Sequence, residues 1–304
     1  MKRNVTKEAF KKIRDKILEL MKTEGSDWTK SWIGSGAPTN FLSKKEYRGM
    51  NYFWLAIQPF ACNDWGTFKQ WQSKGYKIKK GSKGTEVIFA SFIDKTKDRW
   101  SDSDRAYNAR TGKTPQAFLW KVYWVFNGEQ VEGYDFKANK VHKKELTKEI
   151  RDNIDSFVFN TRAVIKTGES VPKEYKGMCY YHPGHDYIGM PDIKAFNSDV
   201  AYYSTLLHEL THWTGSEKRL KRFGSTEEHS YAKEELVAEI GSAFLSNSLN
   251  IEKIVREDHA QYLNMWISDI KDDEKAMITA FSQAQKAVDL LYKLQEKKEG
   301  KQAA

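Results

Sequence analysis

The chain has 304 residues, 39% of them hydrophobic and 30% charged, with six prolines, which is the composition of a globular protein with room for one large domain or two ordinary ones. No apolar run approaches the roughly 20 residues that span a bilayer, the basic N-terminus lacks an apolar signal core, and Cys62 and Cys179 lie too far apart for a disulfide framework or a cysteine zinc site; no membrane partner and an intracellular location are expected. The net charge of +9 is uneven, since residues 1–140 carry 27 basic against 15 acidic side chains and eight of the ten tryptophans, while 141–304 carry 23 against 26, and this predicts two domains with different partners.

In chain order, the first 21 residues form an amphipathic helix with Phe10, Ile13, Ile17, Leu18 and Met21 on one stripe. The stretch from Trp28 to Ile57 is punctuated by Gly, Ser, Pro and Asn, and its aromatics lack helical spacing, so it reads as turns. GTFKQWQS (66–73) reads as a short helix and KIKKGSKG as a basic turn. TEVIFASFI (85–93) and AFLWKVYWVFN (117–127) read as paired strands joined by a long mobile loop. A polar linker is expected near 135–149, dividing domains 1–140 and 141–304. A helix from about Glu145, a strand near 163–166 and a strand pair around 179–191 follow. Next come a helix capped by Ser198 and ended by Gly215, a helix over 231–249, and helices over about 257–271 and 274–297. The fold class is α+β throughout.

HELTHWTG (208–215) carries the chemistry. Residues i and i+4 share a helix face, so His208 and His212 can bind one zinc ion at about 2.0–2.1 Å each. Glu209 beside them can act as general base on a water whose pKa zinc lowers toward about 7. A catalytic zinc needs a third protein ligand, and EELVAEIGSAFL offers Glu235 and Glu239, again i and i+4. Glu235 is assigned to the metal and Glu239 to orienting a ligand histidine, while Glu234 lies about 100° away on the helix. Manganese or nickel fits the same ligands. DYIGMP (186–191) could be an edge strand that pairs with an extended peptide; a plain core hairpin is the alternative. Tyr231, His229 and, less so, His182 and His185 are candidate transition-state donors.

HELTHWTG, the basic RLKR after it and YAKEELVAEIGSAFL resemble the metallopeptidase half of the ArdC family of antirestriction proteins. In the first half Trp28 and Trp32, Pro38 with Asn40, YRGMN (47–51), TFKQW, KKGSKG and VFNGEQVEG (125–133) resemble its other half, while 94–116 fits no part of the pattern and reads as an insertion. The resemblance implies a single-stranded-DNA-binding N-terminal α+β domain joined to a zincin-like metallopeptidase domain with a glutamate ligand. It also implies carriage by plasmids, phages or other mobile elements and protection of incoming DNA in the cytoplasm of a bacterial host. The peptide substrate stays unknown.

Single strands are bound by basic grooves and by aromatic faces on which bases stack. Trp28 and Trp32 are candidates for stacking, Tyr47 and Arg48 beside Gly49 for backbone contact, and Lys77, Lys79, Lys80 and Lys83 for phosphates; the matched motifs add Asn40 and Asn51. Two rivals stay open: a DNA-coating shield whose metal site is structural or vestigial, and a peptidase whose basic half binds an acidic protein.

Overall fold

The structure, a computed structural model, describes residues 5–32, 36–136, 146–223, 228–251, 262–272 and 274–296. Helix α1 (Val5–Glu24) buries Ala9, Phe10, Ile13, Ile17, Leu20 and Met21, the apolar stripe its spacing dictates. A 3-10 turn, Gly25–Trp32, follows. Where turns were expected, the chain forms helix α2 (Gly49–Ala56). Its periodicity is invisible in sequence because Asn51, Tyr52, Phe53 and Leu55 are all buried, leaving no polar face to mark the turn of the helix.

Strand β1 (Thr39–Asn40), β2 (Asp64–Thr67), β4 (Thr85–Asp94) and β5 (Gln116–Asn127) make a sheet of order β1-β2-β5-β4, and β3 (Lys77–Ile78) pairs with β6 (Val131–Glu132). Helix α3 (Phe68–Ser73) leaves β2 through a capping box in which Thr67 accepts from the Gln70 amide. The long β4–β5 hairpin is antiparallel, with Phe89 opposite Lys121 and Val87 opposite Tyr123. One face is covered: Ile88 is core and Phe10 meets Trp120 edge-on at 5.1 Å. The other leaves Phe89, Leu119 and Tyr123 exposed. The segment 94–116 is not an unstructured loop. It holds helix α4 (Asp102–Thr111), started by a Ser101–Asp104 capping box and stopped by Gly112 in the left-handed region.

In the second half, helix α5 (Lys148–Thr161) leads to β7 (Val164–Thr167), β8 (Tyr180–His182) and β9 (Tyr187–Met190). Helices α6 (Asp199–Trp213), α7 (Glu228–Ser248), α8 (Leu263–Asp272) and α9 (Glu274–Lys293) follow. The expected linker and the start of the expected helix at 257 fall largely outside the described residues. The sheet order is β7-β9-β8, with β9 hydrogen-bonded on both sides and all four of its residues buried. DYIGMP is therefore a central strand, and the edge-strand expectation fails because both of its ladders are already used.

One apolar core runs through both halves. Phe10, Ile17, Trp28, Tyr52 and Phe53 share it with Leu207, Phe244, Trp266 and Phe281. Tyr52 meets Phe244 at 5.2 Å and Phe53 meets Phe281 at 5.4 Å, so α2 is seated on α7 and α9. Each such aromatic stabilises the joint by roughly 1.5–3 kcal/mol. Among the described residues no helix is long and apolar enough to cross a membrane.

Candidate metal centre

Ser198 starts α6 by accepting the Ala201 amide at 3.1 Å. Five residues later the helix is inside the protein: from Tyr203 to Trp213 every side chain is buried, His208, Glu209 and His212 included. Helix α7 packs along it and carries Glu234, Glu235 and Glu239, likewise buried. Close approach is set by Gly241, where a Cβ would meet Thr211 Cγ2 at 2.6 Å.

The structure brings His208, His212 and Glu235 together, each offering one ligand atom within 4.8 Å of the others. Nε2 of His212 is 3.0 Å from Nε2 of His208. Glu235 places Oε2 3.3 Å from His208 Nε2 and Oε1 3.4 Å from His212 Nε2. Three ligands at 2.0–2.1 Å from a tetrahedral ion stand about 3.3 Å apart, close to the spacing of the two ring nitrogens and of each nitrogen from the Glu235 oxygen it faces. Three buried glutamates, Glu234, Glu235 and Glu239, face the two histidines, and Arg222 pairs only with the first, which leaves negative charge that a cation would offset. The residues present therefore fit a divalent metal.

The outer nitrogens of both rings face carboxylates. His208 Nδ1 is 3.7 Å from Glu239, whose other oxygen accepts from Thr29 of the N-terminal half at 3.3 Å. His212 Nδ1 is 3.3 Å from Glu234. Glu234 lies outside the group of possible metal ligands and instead meets the outer nitrogen of His212. Sequence spacing does not report that place, because Arg222, which hydrogen-bonds Glu234, comes from the turn that follows α6.

Burial alone would lower the pKa of His212, but the Glu235 and Glu234 carboxylates outweigh it and carry the ring up to about 10. Burial would raise Glu235, yet the two histidines hold it far below the carboxylate range. Glu234 is likewise lowered against its burial, chiefly by hydrogen bonds from Arg222 and His212. Tyr231, one turn upstream of Glu235, has its phenol pushed up by burial and then by Glu235, which it hydrogen-bonds, so its hydroxyl faces the site. The side chains of His229 and Trp32 lie outside the described residues. The rings of His182 and His185 lie 4.7 Å apart, tilted by 44°, at the β8–β9 turn, and neither is in the metal-ligand group.

Several residues expected to meet DNA are occupied elsewhere. Trp28 is fully buried against Phe53, and Tyr47 is core; neither presents a face to a base. Asn51 is buried and brackets β4, donating to Ile88 O at 2.7 Å and accepting the Ile88 amide at 2.8 Å. Asn40 closes its own turn, accepting the Ser43 amide at 3.0 Å and donating to Gln70 at 3.1 Å. Arg48 is exposed and ion-paired with Asp289. Lys77, Lys79, Lys80 and Lys83 are exposed, with Lys79 donating to Glu129 O at 2.7 Å. Residues not anticipated are Phe89 and Tyr123, exposed and edge-on at 5.7 Å beside Lys121. Alternation along β4 and β5 was the available signal.

Comparison with known proteins finds two family models along the chain. Residues 152–283 match the family model of zincin-like metallopeptidases, and residues 7–126 match that of the N-terminal domain of the anti-restriction factor ArdC. The uncharacterized protein y4eC of Sinorhizobium fredii is 31% identical over 298 residues, covering 93% of this chain and 91% of that protein. The DNA primase TraC of Escherichia coli is 32% identical over 308 residues, but this chain spans only 28% of it. The metal-free crystal structure of the antirestriction protein ArdC from the R388 plasmid superposes with a TM-score of 0.77 at 31% identity, covering 94% of this chain and 97% of that one. Its Mn(II)-bound form gives 0.76 at 29% identity, covering 95% and 99%. The chain belongs to the ArdC family of antirestriction proteins, with an ArdC-type N-terminal domain followed by a zincin-like metallopeptidase domain.

Proposed function

We propose that this protein acts in antirestriction in a bacterial cytoplasm, residues 1–140 binding single-stranded DNA and residues 141–304 hydrolysing peptide bonds at a divalent-metal site. The observation that carries the peptidase reading is the buried group of His208, His212 and Glu235, in which the two Nε2 atoms stand 3.0 Å apart and each lies 3.3 or 3.4 Å from a Glu235 carboxylate oxygen. The Mn(II)-bound form of the R388 relative supports a divalent ion, and zinc suits two imidazoles and a carboxylate. Such an ion supplies Lewis acidity toward a peptide carbonyl and acidifies water.

The rest is the work of this chain's residues. Glu209, next to His208 on the helix and buried, takes the proton of the attacking water and returns it to the departing amine. Glu239 and Glu234 orient the two rings. Tyr231, at the mouth of the site and half exposed, donates to the developing oxyanion. Replacing Glu209 with Gln tests this. Metal binding and fold should persist while cleavage of an unstructured protein such as casein falls by about 10²–10⁴, and unchanged cleavage overturns the assignment.

For DNA, the excess of 27 basic over 15 acidic residues in 1–140 supports a phosphate-tracking surface. The exposed face of the β4–β5 hairpin, with Phe89, Tyr123 and Lys121, takes the stacking role that the buried Trp28 does not fill. Should Glu209→Gln leave protection of incoming DNA intact, coating by this half is the whole function and the metal site is structural.

A further inference from the structure

We propose that Arg222, the last residue of the basic RLKR turn, is a positioning residue of the metal centre, clamping Glu234 so that the ring of His212 stays aimed at the ion; this rests on His212 being a metal ligand. In sequence, RLKR is a cationic turn of the kind that meets phosphates. In the structure its two arginines face inward, with side chains only 13% (Arg219) and 4% (Arg222) exposed.

The turn folds back onto the end of α6, the amides of Leu220, Lys221 and Arg222 donating to the carbonyls of Thr214, Ser216 and Gly215 at 2.8–3.0 Å. From there Arg222 makes a bidentate pair with Glu234, Nε to Oε2 at 2.9 Å and Nη2 to Oε1 at 2.6 Å. Its Nη2 also donates to Thr211 O, and its Nη1 to Thr214 Oγ1, both at 2.7 Å. Those two acceptors belong to the last turn and the C-cap of the helix that bears the histidines. The guanidinium thus fixes the Glu234 carboxylate relative to α6 itself. Its Oε1 then meets His212 Nδ1 at 3.3 Å, which leaves Nε2 as the nitrogen turned to Glu235 and His208. A planar fork holding a carboxylate in two dimensions is something a lysine point charge does not reproduce.

Arg219 is the control within the same turn. It is tied to Asp186 and donates to Tyr181 at 3.1 Å, and it lies over the Trp213 ring at 3.8 Å. Its Nε donates to Trp213 O at 2.6 Å, so it braces the β8–β9 hairpin against the end of α6, and its carboxylate partner is Asp186 rather than a glutamate at the histidines.

The test is zinc affinity of the full chain, measured by competition with a chromophoric chelator, with circular dichroism of each metal-free protein alongside. Arg222→Met and Glu234→Gln should each weaken zinc about 10- to 100-fold. Arg222→Lys should recover little of the loss, and Arg219→Met should stay within about threefold of wild type. Because Arg222 acts through Glu234, adding Arg222→Met to Glu234→Gln should cost less than about twofold more. Wild-type affinity in Arg222→Met, or losses that multiply in the double variant, overturns the clamp. If Arg222→Met fails to fold, Glu234→Gln against Arg219→Met decides it: equal affinities in those two overturn the clamp. A wild-type chain that takes no zinc overturns the metal-site reading on which it rests.

Discussion

Gly241 lies inside α7 where that helix crosses Thr211 of α6, and a Cβ there would stand 2.6 Å from Thr211 Cγ2, against 3.4 Å or more in ordinary contact. Replacing Gly241 with alanine sets two effects against each other. Alanine in a helix interior is favoured over glycine by about 0.8–1.0 kcal/mol. The contact, however, demands a shift of about 0.8 Å, and Thr211 has little freedom to give it. It is fully buried, β-branched, and its hydroxyl is bonded to Leu207 O at 2.8 Å. Overpacking of this kind costs about 1–3 kcal/mol, so a net loss of up to about 2 kcal/mol is expected. The helices that must separate carry the histidines and Glu235, and metal constellations tolerate only about 0.5 Å of error, so zinc affinity should fall with stability. Urea unfolding of the metal-free chain and chelator competition read the two effects. Adding Thr211→Ser, which deletes the clashing methyl, should restore both. A Gly241→Ala protein as stable as wild type, with unchanged zinc affinity, would refute the reasoning.

Other expectations concern separate parts of the molecule. Phe89→Ala and Tyr123→Ala should each weaken binding of an oligo-dT by roughly 1–3 kcal/mol in a fluorescence titration and leave zinc affinity alone; unchanged titrations would remove the hairpin face from the DNA surface. Trp28→Ala, by contrast, should act as a core deletion, lowering stability by about 3–5 kcal/mol in urea melts. The Asp186 carboxyl is held at about 2, below its ordinary 3.8, chiefly by hydrogen bonds from Arg219. Its ionised form therefore adds stability above pH 4 that disappears as pH falls through about 2. Asp186→Asn should be less stable than wild type at pH 6, with the gap closing toward pH 2, and a gap independent of pH would contradict the assignment.

The α6 helix and its ligand pair are legible because local signals agree there: a Ser198 cap, two histidines four apart, and Glu235 with Glu239 four apart on the next helix. What sequence conceals is the side of the site built by distant segments. Glu234 is positioned by Arg222 across a turn, and Glu239 is met by Thr29 from the other half of the chain, neither of which periodicity can report. Helix α2 was missed because it is apolar all round, and α4 because its Ser101–Asp104 cap was passed over inside a polar segment. YIGM, four buried residues without alternation, carried the mark of a central strand, and reading it as an edge ignored that. Burial of Trp28 in the core shared with α7 and α9, of Tyr47 against Trp65, Val87 and Val125, and of Asn51 on Ile88 comes from contacts distant in sequence, which no local pattern reveals.

The most direct test of the central claim is the metal content of the full chain after exposure to zinc and removal of the excess, with His208→Ala and Glu235→Ala measured beside it and fold confirmed for all three. About one ion per chain is expected in the wild type, with a large loss in both variants. A wild-type chain that retains no ion, or variants that retain as much as it does, would contradict it.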